Sequence, residues 1–140
     1  VAYSAADPLY YYYLGIVYFQ QKQYEEAVQT LSKGLERVQE DTPIDLISNS
    51  YTLLGDLYHD LGDDEKAYAA YDSCLIYNPE DVGALNNYAY YLSLNNHDLK
   101  RAEEMSAKTI EAEPDNYTYI DTYAWILYQM KKLWKHSTEM

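Results

Sequence analysis

The amino-acid sequence predicts an all-α chain of antiparallel helix pairs, and three observations carry that prediction. First, a large residue, two spacers, a Leu-Gly pair or close variant, two spacers and a large residue recur four times. The four are Tyr11-x2-Leu14-Gly15-x2-Tyr18, Tyr51-x2-Leu54-Gly55-x2-Tyr58, Leu85-x2-Tyr88-Ala89-x2-Leu92 and Ile120-x2-Tyr123-Ala124-x2-Leu127. Second, the first three are followed by a small residue and another core residue four positions on: Ala27 and Leu31, Ala67 and Tyr71, Ala102 and Ser106. Such spacing puts the core positions on one helical face. Third, four Pro and five Gly in 140 residues are too few for a turn-rich β-sandwich.

Taken in order, residues 1–7 read as the tail of an earlier segment. Asp7-Pro8 is a helix start, with Asp as N-cap and Pro at the first helical position. The first helix runs from Pro8 to about Gln21. Gly15 suits a place where a neighbouring helix comes too close for a Cβ. The turn Gln21-Lys22-Gln23 leads to a second helix, whose Ala27, Val28, Leu31, Leu35 and Val38 keep helical spacing. That spacing predicts continuation through Gln39 until Asp41-Thr42-Pro43 breaks it. From Gly15 to Gly55 is 40 positions, so an extra turn should project at this junction.

The third helix covers Pro43 or Ile44 to Asp60, and Gly62-Asp63-Asp64 makes the turn. The fourth runs from Glu65 to Tyr77, capped by Asp63 or Asp64. A third repeat, 82–115, replaces the glycine by Ala89 and lengthens the turn by one residue, while Ala102, Ser106 and Pro114 stay in step. The fourth repeat, 116–140, has a first helix from Asn116 or Tyr117 and a stub of a second around Leu133–Met140. His136 stands there where a small residue is expected. The total is about seven to eight helices in one domain, with repeats at 8–43, 44–81, 82–115 and 116–140.

The spacing of residues 48–81, ending in Pro79, resembles the tetratricopeptide repeat, a helix–turn–helix unit of about 34 residues. The resemblance extends over residues 8–140. The wording of residues 86–128 is similar to bacterial proteins of this family, some of them in the cell envelope. The compartment otherwise stays open between cytoplasm and periplasm or envelope. The family implies a right-handed α-solenoid of antiparallel helix pairs, whose first helices line a concave groove that holds a partner segment. It also implies that the fold itself carries no catalysis.

By helical phase, the groove positions lie opposite the packed stripe. They are Leu9, Tyr12, Tyr13, Ile16, Phe19 and Gln20 in repeat one; Asn49, Thr52, Leu53, Asp56, His59 and Asp60 in repeat two. Repeat three offers Gly83, Asn86, Asn87, Tyr90, Ser93 and Leu94; repeat four offers Thr118, Asp121, Thr122, Trp125, Tyr128 and Gln129. Both ends are aromatic and apolar, the middle is acidic and amide-rich, and no Lys or Arg occurs. Family members that grip a chaperone's C-terminal carboxylate use Lys and Arg there. Here the places hold Tyr12, Ile16, Leu53, Gly83 and Asn87, which argues against that clamp. Asn86 and Asn87 suit the backbone of a bound segment, and Tyr90 and Trp125 its side chains. The expected partner is a protein or peptide, neutral or basic, with apolar anchors.

Composition narrows the rest. With 23 acidic against 10 basic residues the net charge is −13, which disfavours nucleic acid and anionic membrane surfaces. No run of 18 apolar residues exists, so direct membrane insertion is not expected. Most of the 19 tyrosines are absorbed by the repeat: Tyr11, Tyr18, Tyr24, Tyr51, Tyr58, Tyr71, Tyr77, Tyr88, Tyr91 and Tyr123 occupy core positions. Their hydroxyls should reach the surface or a backbone carbonyl. Cys74, the single cysteine, reads as a small buried hydrophobe.

Chemistry is sparse. His59 beside Asp56 and Asp60 is the tightest His/carboxylate cluster, short of the three or four ligands a zinc ion needs. No phosphate-cradling glycine loop or nucleophile elbow is present. The acidic pairs sit at helix starts, where the dipole favours them. No cofactor, metal or enzymatic activity is therefore expected. The leading reading is an interaction module that binds a peptide or helix in its groove. The alternatives are a spacer, or self-association through the apolar terminal repeats, or an accessory domain of an enzyme encoded outside this chain.

Overall fold

The computed structural model describes residues 7–139; the segment read as an upstream tail and Met140 lie outside them. Seven helices follow one another among these residues. They are α1 (Pro8–Gln20), α2 (Tyr24–Leu35), α3 (Ile44–Asp60), α4 (Asp64–Tyr77), α5 (Val82–Leu94), α6 (Leu99–Ala112) and α7 (Tyr117–Glu139). The chain divides into two compact units, residues 1–81 and 82–140. In the first, α1 packs on α2, α3 on α4, and α3 also touches α1 and α2; in the second, α5, α6 and α7 pack pairwise. No helix among the described residues is long and apolar enough to cross a membrane.

The starts and turns follow local chemistry. The Asp7 side chain accepts from Leu9 N at 2.9 Å, with Pro8 as the first helical residue. Asp63 caps α4 by accepting from Lys66 N at 3.2 Å, and Asp98 caps α6 through Arg101 N at 3.3 Å. Each supplies an acceptor that the first helical turn lacks. The same backbone hydrogen bond closes all three intra-pair turns: Gln23 N to Tyr18 O, Asp63 N to Tyr58 O, and His97 N to Leu92 O. Each turn passes through a left-handed residue, Lys22, Gly62 or Asn96. Of the three, only Gly62 adopts that conformation without steric cost.

The packed stripe gathers as expected in the first unit. Ala27, Leu31, Leu54, Leu57 and Ala70 form a buried cluster, ringed by half-buried Tyr12, Tyr18, Phe19, Tyr51 and Tyr58. A Cβ on Gly15 would stand 2.8 Å from Leu31, and one on Gly55 2.6 Å from the Tyr71 ring. Those separations are shorter than carbon contacts allow, so both glycines are required by helix approach.

Four expectations are corrected. Helix α2 stops at Leu35 and does not continue to Gln39. Thr42 Oγ1 accepts from Gln39 N at 2.9 Å, and Thr42 N donates back to Gln39 O at 3.1 Å. This side-chain closure competes with helix continuation, so the extra residues form a connector.

The stub helix expected at Leu133–Met140 is instead the end of one 23-residue α7. Residues 130–135 hold no Gly, Pro, Asn or Asp to break it, and Lys131, Lys132 and Lys135 favour a helix C-terminus. Among the described residues the stripe Ile120–Ala124–Leu127 consequently meets no returning helix and lies exposed, while Thr122, Ile126 and Gln129 are buried.

Three tyrosine hydroxyls expected to reach the surface or a backbone carbonyl meet side chains instead. Tyr71 donates to Asp56, Tyr123 to Glu103 at 3.1 Å, and Tyr88 accepts from Arg101 at 2.8 Å. Tyr77, expected in the core, is exposed and stacks on Tyr51 with ring centroids 5.9 Å apart.

Candidate partner-binding surface

In the first unit, Leu9, Tyr12, Tyr13 and Asn49 line one cavity of about 690 Å3. These are groove positions of α1 and α3 brought together by packing. The connector closes the same cavity with Arg37, Gln39, Asp41, Thr42 and Pro43. Tyr12 and Tyr13 present rings 5.8 Å apart, inclined at 53°. Burial, and then neighbouring Tyr13, raises the Tyr12 pKa, so its phenol stays a neutral donor. Tyr13 is half exposed.

Arg37 was not legible as a site residue, because the sequence reading gave it to a projecting helix. Its guanidinium lies 5.0 Å from the Tyr11 ring centroid and donates to Lys33 O at 3.4 Å. The cation is thus held by an aromatic face at the cavity wall.

The remaining groove residues of this unit have other tasks. Ile16 is half-buried, and Phe19 packs on the core with its ring 5.8 Å from Tyr24. Asp56 accepts from the buried Tyr71 hydroxyl, and His59 Nδ1 lies 3.6 Å from the Asp64 carboxylate. No metal-holding group of three His, Cys, Asp or Glu exists among the described residues.

Cys74 is fully buried, 3.1 Å from Thr52 Oγ1. Burial, chiefly, pushes its thiol up to about 11, with Asp81 adding to the rise and the Thr52 hydrogen bond opposing it. Since the thiolate is the nucleophile, alkylation at pH 8 should be at least about 100-fold slower in the folded protein than after denaturation. Iodoacetamide labelling with and without urea, read by mass, checks this. Equal rates would show that the thiol is accessible.

In the second unit, α7 lies on α5 through groove-assigned residues. Trp125 Nε1 donates to Ser93 Oγ at 3.0 Å. Gln129 Nε2 donates to Ser93 O and Asn96 Oδ1, each at 3.2 Å. Ser93, Thr122 and Gln129 are buried, so these three serve internal packing. Trp125 is partly used in the same way. Asn86 is 7% exposed, and its Oδ1 is buried with no hydrogen-bond partner; Asn87 is half-buried. Tyr90, Asp121 and Tyr128 remain exposed, with the Tyr128 ring 5.9 Å from Trp125.

Comparison with known proteins agrees with this geometry. The first repeat domain of Spaghetti (RPAP3), solved bound to the HSP90 peptide SRMEEVD, superposes with a TM-score of 0.77 at 19% identity, covering 91% of this chain and 96% of that one. The C-terminal repeat domain of a Plasmodium falciparum FK506-binding protein gives 0.81 at 17% identity, covering 92% and 91%. The Saccharomyces cerevisiae HSP90 co-chaperone Cns1 gives 0.81 at 16% identity, covering 94% of this chain and 42% of that one. At these identities the likeness is one of fold. No curated protein sequence matches the chain. The tetratricopeptide repeat family model matches residues 7–75, where the Leu-Gly-x2-Tyr stripe and both close-approach glycines lie; the chain belongs to the tetratricopeptide repeat family.

Proposed function

We propose that this chain is a non-catalytic protein-interaction module whose first-helix faces hold a peptide or helical segment of a partner. The cavity against α1 and α3 carries the reading, because it gathers groove positions into one concave site of mixed polarity. Leu9, Tyr12, Pro43 and Leu46 offer apolar walls for an anchor side chain, and Asp7 and Asp41 set two carboxylates against the one cation of Arg37. That lining, on a chain of net charge −13, favours a neutral or basic segment. In the second unit, exposed Tyr90 supplies an aromatic contact.

Tetratricopeptide domains are typically interaction modules, and RPAP3 shows one holding a peptide. Its ligand carries two Glu and one Asp against one Arg, a charge that this surface would repel.

The test is selection from a random peptide display library, followed by calorimetry on the best binders. Basic or neutral sequences with one or two large apolar residues should emerge. Tyr13→Ala should weaken them at least about tenfold, roughly 1.4 kcal/mol, with far-UV circular dichroism unchanged because Tyr13 is half exposed. Selected peptides that are acidic, or indifferent to Tyr13→Ala and Leu9→Ala, would overturn the reading.

A further inference from the structure

Helix α7 carries a second interaction surface, separate from the α1/α3 cavity. Tyr117, Ile120, Ala124, Leu127, Lys131 and Trp134 fall at spacings of 3, 4, 3, 4 and 3. This is the a/d seam of a coiled coil, about 25 Å long at 1.5 Å per residue. All six are exposed; Tyr117 is 81%, Leu127 44% and Trp134 69% exposed. The opposite face, Thr122, Ile126 and Gln129, is the one α7 spends on its own unit. A contiguous aromatic and aliphatic seam of this kind marks an interaction site.

Charge selects the occupant. The seam's N-terminal half is acidic, with Asp121 on the helix and Glu111, Glu113 and Asp115 just before it. Its C-terminal end carries Lys131, Lys132 and Lys135, three of the chain's ten basic residues. A helix with this polarity complements itself when turned end for end. We infer that α7 pairs antiparallel with α7 of a second copy of this chain, forming a two-fold symmetric dimer.

Pairing about the middle of the seam sets Leu127 against the partner copy's small Ala124, where the helices approach most closely. Trp134 then meets Tyr117, Lys131 meets Ile120, and Lys135 comes level with Asn116, beside Asp115. The opposed helix dipoles also favour this direction. A parallel pair would instead stack the three lysines of each copy on one another. One helix per copy is a small interface, so the dimer belongs to the weak, concentration-dependent class.

Sedimentation equilibrium on the whole chain tests this. The mass should rise from 16.4 kDa to about twice that as concentration increases through the micromolar range. Leu127→Glu should hold the mass at the monomer value with unchanged circular dichroism, since the side chain is exposed. Lys135→Glu should weaken dimerisation several-fold, and Asp115→Lys added to it should restore the dimer.

A double variant, Ala124→Cys with Leu127→Cys, should cross-link into a covalent dimer under mild oxidation, with the buried native Cys74 standing aside. A monomer at every concentration would overturn the inference, as would a dimer indifferent to Leu127→Glu. Neither result touches the peptide site on α1 and α3, which Tyr13→Ala reads separately.

Discussion

Replacing Tyr71 by Ala is expected to lower the unfolding free energy by about 4 kcal/mol, in the range for truncating a buried aromatic. Tyr71 is fully buried on α4, and its ring fills the space left by the missing side chain of Gly55 on α3. Removing it opens a cavity along the α3–α4 contact, which rigid helices cannot fully collapse. Its hydroxyl donates to Asp56, so the change also strips a half-buried carboxylate of a donor. Tyr71→Phe separates the two effects: it keeps the ring and should cost about 1–3 kcal/mol, the range for an unmade hydrogen bond to a charged group. Urea unfolding followed by circular dichroism measures both. A Tyr71→Ala loss below about 1 kcal/mol would mean that Tyr71 does not organise this helix pair.

The second large effect concerns Gly34, near the end of α2. A Cβ there would lie 2.7 Å from the Cβ of Tyr11 and 3.5 Å from the carbonyl oxygen of Pro8. The Tyr11 Cβ is fixed by the α1 backbone, so no rotamer change relieves the clash. Gly34→Val should therefore cost about 3 kcal/mol, at the upper end for overpacking.

The sign for Gly34→Ala is the sharper test. In an open helix position Ala would stabilise by about 1 kcal/mol; here it should destabilise. Because α1 must back away, and Pro8, Leu9 and Tyr12 line the cavity, either variant should also weaken selected peptides at least about tenfold. A stabilising Gly34→Ala would show that α1 and α2 can separate without penalty.

Much of the architecture was legible because it follows from local rules. Asp7-Pro8, Gly62-Asp63 and the i, i+3, i+4 stripe depend on residues within a few positions of each other, and each produced its cap, turn or buried face. Gly15 and Gly55 were readable too, since a glycine inside an apolar helical stripe implies close approach. Gly34 carried the same signal, yet only the packing of α1 on α2 shows what its Cβ would strike. The sequence thus determined that helix pairs form and which faces they bury in the first unit.

What tertiary structure alone decided lies where two local readings compete. Val38 keeps the helical spacing past Leu35 and predicts a helix through Gln39, but the Thr42–Gln39 closure ends the helix earlier and puts Arg37 and Asp41 on a cavity. Residues 130–135 sit where the repeat expects a turn, but no breaker interrupts α7. Groove phase was also insufficient in the second unit: Ser93, Thr122 and Gln129 share the phase of exposed neighbours, yet α7 seats them against α5. Helical periodicity specifies which residues share a face. Whether that face meets water, a partner or another helix depends on long-range contacts, because burial is a property of the neighbours that arrive.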